Sequence, residues 1–253
     1  AYEGIKFVNV DQSIVTGDSL SSTGDAGIFL ISGSDTNTLS NNTANSNVYG
    51  IYLVTTSNYN TVTSNTANSN SNSGIFLNTT STKNTVTNNT ANSNSSYGIL
   101  LALNSDSNTV SGNTANSNNT GIYLNTASNN NTISGNTFNS NLLRGIVISP
   151  TSGNNTLTSN SVSSNLSDGI WLTGGSNTVI AQNTFDSNAQ YQIYIDGASS
   201  SETVVKNIIK TSPTNPDSGV YNASTVAGNK FTFTRNWWNT ADSAGIKKMI
   251  YQA

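Results

Sequence analysis

The sequence predicts an all-β fold: a solenoid of short parallel strands with about 24 residues per coil, closed by a C-terminal cap containing a short helix. Three observations predict it. Gly-Ile, then an aromatic or aliphatic residue, then Leu or Ile, recurs from Gly27, Gly50, Gly74, Gly98, Gly121, Gly145 and Gly169, each start 23 or 24 residues after the last. A fixed period with one-residue slips is the signature of stacked repeats, in which each coil touches only its neighbours. Asn residues recur in three columns at the same period. Finally, only 8% of residues are charged and 34% are hydrophobic. The sparse apolar residues nevertheless keep register with the period, which a disordered polar tract would not.

The chain reads as one domain in three stretches. Residues 1–26 hold an N-terminal strand and the first coil, 27–200 the regular repeats, and 201–253 the last coil and cap. The stretch Asn60–Leu77 shows one coil. Its apolar segments centre on Val62, on Ala67 and on Ile75-Phe76-Leu77, with polar corners between. Period-2 alternation turns Val62, Ile75 and Leu77 inward and Phe76 outward. No segment inside the repeat holds a helical period. The second-strand core position changes from Ala44, Ala67, Ala91 and Ala115 to Phe138, Val162 and Phe185, so the interior should thicken along the axis. Eight or nine coils at ~4.8 Å spacing give a rod roughly 40 Å long.

The Asn columns fill the corners. Asn37, Asn60, Asn84, Asn108, Asn131, Asn155 and Asn177 form one; Asn42, Asn65, Asn89, Asn113, Asn136, Asn160 and Asn183 a second; Asn47, Asn70, Asn94, Asn118, Asn141, Asn165 and Asn188 a third. Stacked amides form hydrogen-bonded ladders, and Asn also tolerates the left-handed backbone of a sharp corner. An eighth Gly-Ile copy has lost its Gly, reading Gln192-Ile193-Tyr194-Ile195.

The recurring unit is Asn-Thr, an aliphatic residue, two residues, Asn, Thr or Ser, two residues and Ser-Asn, followed by the Gly-Ile strand. It covers about residues 13–208 and resembles the right-handed parallel β-helix repeat family. That resemblance implies a right-handed parallel β-helix solenoid. Similar repeats occur in archaeal surface and sheath-type proteins, in polysaccharide-acting enzymes and in periplasmic copper-binding proteins. Asn236-Trp237-Trp238 and the helix expected over 243–251, on Ile246, Met249 and Ile250, resemble the closing element of archaeal β-helix proteins. There a Gly usually follows the second Trp; here it is Asn239.

Composition narrows the chemistry. Without Cys or His there is no thiolate, no imidazole base and no soft-metal set, and the single Met does not supply one. No cofactor is expected. Asp11, Asp18, Asp25 and Asp35 crowd the first coil and offer oxygens to a hard cation such as Ca²⁺, but no metal is assigned. A glycosidase needs paired carboxylates. Asp106 has no acidic neighbour one coil away, and Asp168 and Asp186 fall in different parts of their turns. No catalytic residue is assigned, and the chain is expected not to be an enzyme. No apolar run approaches ~20 residues, so no membrane span is expected, and neither is a nucleic-acid partner. The start at Ala1 rather than Met fits a removed secretory signal and an extracellular, cell-surface location.

What remains is surface. The outward residues of the Gly-Ile strands, Phe29, Tyr52, Phe76, Tyr123, Trp171 and Tyr194, interrupted by Leu100 and Val147, form an apolar flank of the kind that marks an interface. Tyr2, Phe7, Trp237, Trp238, Lys247 and Lys248 are candidate contacts at the ends. Residues 1–199 hold nine acidic and three basic side chains, residues 200–253 three and six, a polarity that favours head-to-tail contact. The first functional expectation is a structural, self-assembling sheath, envelope-layer or filament subunit whose partner is itself. The alternative is a carbohydrate-binding or polysaccharide-cleaving module with a cell-surface glycan on the aromatic flank.

Overall fold

The computed structural model describes residues 2–212, 214–215, 218–224, 231–238 and 250–252. Three parallel sheets form the walls of a solenoid. The first has eleven strands, from Ile5–Val8 through Ala26–Ile31 and Tyr49–Leu53 to Val220–Asn222 and Ile250–Gln252. The second has ten, from Ile14–Thr16 to Thr232–Thr234. The third has four, Ser161–Ser163, Thr184–Asp186, Ile208–Lys210 and Trp237–Trp238. Upstream its place is taken by single parallel bridges through Ser19, Thr43, Thr66, Thr90, Thr114 and Thr137.

Register follows the sequence period. Ile28, Ile51, Ile75, Ile99, Ile122, Ile146, Ile170 and Ile193 stack in order. These residues are wholly buried, as are Val62, Val86 and Val110 of the second wall and Ala44, Ala67, Ala91, Ala115, Phe138, Val162 and Phe185 of the third. Gly is required where the first strand enters the interior. A Cβ on Gly98 would lie 2.5 Å from the Ala115 Cβ and 2.7 Å from the Gly121 carbonyl oxygen. The expected helix over 243–251 lies, for residues 243–249, outside the described residues. Its last two, Ile250 and Tyr251, belong to a strand paired with Val220–Asn222, because another wall position is open there.

The Asn ladders are present and buried. In the second, each backbone N–H from Asn42 to Asn207 donates at 2.9 Å to the side-chain carbonyl one coil on, ending at Asn236. Two details differ from expectation. The left-handed backbone falls on the residue before each ladder Asn, such as Ser64 before Asn65 (φ 56°) and Ser69 before Asn70 (φ 56°). One residue of that hand between extended neighbours bends the wall and turns the following amide inward. The same rule excludes Asn177 from the first ladder: it has φ 58° and is exposed, and Thr178 takes the buried place. Outside these runs a ladder that the repeat also carries: Asn45, Asn68, Asn92, Asn116 and Asn139 accept N–H groups from the following coil at 2.7–2.8 Å, opposite in sense to the inner ladders.

The lost Gly at position 192 has a physical reason. The third ladder ends at Asn188, and the Gln192 Oε1 accepts from the Asn188 Nδ2 at 2.6 Å in place of the missing next Asn. Gln192→Gly restores the repeat motif yet should cost about 1–3 kcal/mol, because a buried amide loses its acceptor. Thermal unfolding of the two chains checks this; equal or higher stability in the Gly variant overturns it.

Candidate active site on the aromatic flank

The first sheet presents two outward columns, because the residue before each Gly and the residue after each Ile point away from the core. The second column contains the predicted flank. Phe29 and Tyr52 stack at 5.1 Å between ring centroids, and Tyr52 and Phe76 at 4.7 Å. The first column, which the sequence reading missed, adds Tyr49, Tyr97 and Tyr191 at the same period. Tyr49 packs on Tyr52 and Phe76, and Tyr97 on Tyr123; Tyr191 and Tyr194 both pack on Tyr221. These rings cover Leu100, which is buried, so the aliphatic interruption sits beneath the surface.

Between the Tyr97–Tyr123 pair and the Tyr191–Tyr194–Tyr221 cluster the flank opens. Two adjoining cavities of about 190 and 210 Å³ share Arg144 and Trp171. The first also takes in Tyr97, Thr120, Tyr123 and Val147; the second Asp168, Gln190, Tyr194 and Asp196. The strands here are longer than the usual five residues: Ile170–Ser176 has seven and Ile193–Ser200 eight, with a register shift after Leu172. A bulge re-aims side chains beside it.

Arg144 occupies the first column and Asp168 follows 24 residues later, one coil on. The Arg144 Nε donates to the Asp168 Oδ2 at 3.1 Å, with the carboxylate 4% exposed. The guanidinium carbon lies 3.7 Å over the Trp171 ring. Asp168 also accepts from the Ser167 hydroxyl at 3.2 Å and the Tyr191 N–H at 3.3 Å. Burial pushes the Asp168 carboxyl up, while the Arg144 guanidinium pulls it back. Burial also raises the Tyr194 phenol, helped by the negative charge of Asp196, and the Tyr123 phenol, helped by Tyr97.

A sugar ring can stack on a tyrosine here, or on the face of Trp171 opposite the guanidinium, while Arg144 donates to its hydroxyls. Two carboxyl groups and Tyr194 on one cavity are the residue types acid–base chemistry on a glycan needs. The sequence search for carboxylate pairs tried Asp168 with Asp186, but Asp186 pairs with Lys210 at 3.3 Å. The cavity instead joins Asp168 to Asp196. The opposite-charge spacing of Arg144 and Asp168 was the legible signal.

The other predicted residues lie elsewhere. Tyr2 is exposed, and Phe7 packs partly buried against the core. Trp238 stands over Ile209 and packs on the core, while Trp237 is 54% exposed. Lys247 and Lys248 lie outside the described residues. Asp35 lies one coil beyond Asp11 and not beside it: Asp11 accepts the Asp35 N–H at 2.8 Å and Asp35 the Asn58 N–H at 2.6 Å, so these two carboxylates serve the coil stack. Among the described residues, no helix is long and apolar enough to cross a membrane.

The right-handed β-helix region family matches residues 1–115 and 103–248. The chain belongs to that family. No curated protein sequence matches it. Among solved structures, this family member is similar to the A-module of the Azotobacter vinelandii mannuronan C-5 epimerase AlgE4, with 16% identity over 92% of this chain and 76% of that one and a TM-score of 0.74. It is also similar to the periplasmic alginate epimerase AlgG, at 20% identity over 89% and 50% of the two chains and a TM-score of 0.65. The Dettilon tailspike protein gives 14% identity, 89% and 54% coverage and a TM-score of 0.63. The chain spans about half the length of the periplasmic epimerase chains. At these identities the likeness is one of fold.

These likenesses correct the expectation that the chain is no enzyme: the same solenoid carries mannuronan and alginate epimerases. Monotony of the repeat describes the inward residues, whereas chemistry on a β-helix is placed by outward side chains of adjacent coils.

Proposed function

We propose that the chain is a polysaccharide-acting β-helix module that lays a glycan along the aromatic flank. The observation that carries this is the pair of cavities sharing Arg144 and Trp171, walled by Tyr97 and Tyr123 on one side and by Tyr194, Asp168 and Asp196 on the other. Trp171 and Tyr123 are the stacking platforms, Arg144 the hydroxyl-binding donor, and Asp168 with Asp196 the acid–base candidates. An extracellular or periplasmic location accompanies this reading, since polysaccharides are found there.

Tyr123→Ala and Trp171→Ala should each reduce binding on a glycan array by about two- to tenfold, the loss of roughly one stacking contact. The fold should survive, because both side chains point outward. Unchanged glycan binding in both variants would sink the proposal. A second reading, self-assembly into sheaths or filaments, draws support from Leu142, Leu143 and Leu166, exposed at 58, 41 and 63%, of which Leu143 lines the first cavity. Under it the same substitutions weaken association, read by light scattering, and leave glycan binding unchanged.

A further inference from the structure

Resting on the glycan reading above, we infer that this trough takes a neutral pyranose chain and rejects a polyuronate. In the two outward columns from Ala26 to Tyr221, Arg144 is the single cationic residue. It is already committed: its Nε donates to Asp168 and its guanidinium lies on Trp171. The cavity that holds this pair also contains Asp196, so its lining carries one cation and two carboxyl groups. The adjoining cavity contributes Arg144 again and otherwise only uncharged residues.

From Tyr97 to Tyr194 the trough crosses four strand steps, roughly 19 Å at ~4.8 Å each, enough for several sugar rings. A polyuronate places a carboxylate on every one of those rings. Each would leave water for a surface whose single cation already faces Asp168, and the one nearest Asp196 would meet a like charge. A neutral chain meets none of these costs. Its ring faces find Tyr123, Trp171 and Tyr194, and its hydroxyls find the remaining Arg144 donors and the amide of Gln190.

The test compares two ligands that share ring stereochemistry and linkage and differ only in a hydroxymethyl or a carboxylate: mannohexaose and the mannuronate hexamer. Cellohexaose serves as a second neutral ligand. Titration calorimetry on the full chain should give a neutral hexamer bound at least about tenfold tighter than the mannuronate hexamer at low salt, where charge repulsion is least screened. In Asp196→Lys that gap should close. Binding of the mannuronate hexamer as tight as, or tighter than, the neutral ones overturns the inference and leaves the glycan reading standing. An unchanged gap in Asp196→Lys overturns it too, because charge would not be the cause. If none of the three binds, the glycan reading and the inference fall together.

Discussion

Asn113→Leu should destabilise the chain by about 4 kcal/mol, although it conserves volume and adds apolar surface. The Asn113 Oδ1 accepts the Asn89 N–H at 2.9 Å and the Asn89 Nδ2 at 3.0 Å. Its Nδ2 donates to the Val86 carbonyl at 2.9 Å and to the Asn136 Oδ1 at 3.0 Å. All of these groups are buried, so no water replaces the lost partner. Two or three orphaned buried groups at ~1–3 kcal/mol each outweigh the gain from burying a leucine. In a chain of this length that corresponds to a fall in Tm of about 10 °C. Asn116→Ala is the control. Asn116 sits in the outer ladder, half-buried, where water can take over the Asn139 N–H it accepts at 2.7 Å. Its cost should stay under about 1 kcal/mol. Equal falls in the two variants, followed by circular dichroism on heating, would show that burial does not separate the ladders.

The second large effect is a pH dependence centred on Glu202. This side chain stands in the first ladder column after Asn155 and Thr178, and it is fully buried. The Ser200 N–H donates to one carboxyl oxygen at 3.2 Å, and the other oxygen has no partner among the described residues. Burial pushes the carboxyl up from its ordinary 4.5 to about 7. Because the folded value is the higher one, the unfolded chain ionises first as pH rises. Stability is therefore intact below about 4.5, falls between 4.5 and about 7, and stays reduced above that. The span amounts to about 3 kcal/mol. Tm should drop between pH 5 and pH 8, and Glu202→Gln should remove most of the drop and stabilise the chain at pH 8. A Gln variant with the same pH profile as the parent would rule this out. Asp168, also raised by burial, contributes residual slope of the same sign.

In a solenoid, residues one period apart in sequence are neighbours in space, so periodicity is itself tertiary information. That is why Ile28 to Ile193, the Ala-to-Phe change at 138 and the columns through Asn65 and Asn70 could be placed without coordinates. The flank of Phe29, Tyr52, Phe76, Tyr123, Trp171 and Tyr194 was legible for the same reason. Errors came where the period slips or where two adjacent residues compete for one position. Asn177 and Thr178 are such a pair, and only the backbone hand at 177 shows which turns inward. The helix expected near the C-terminus failed at Ile250 and Tyr251 because apolar spacing that suits a helix also suits a further strand on an open wall.

The sequence by itself thus determined the coil, its wall residues and its hydrogen-bonded corners, since each repeats and each depends only on the coils beside it. The tertiary structure decided how the site is assembled. The stacking of Arg144 on Trp171, the burial of Asp168 and the arrival of Asp196 at the same cavity occur once, beside an irregular stretch after Leu172. They depend on side-chain conformation and burial, which a repeating pattern does not encode.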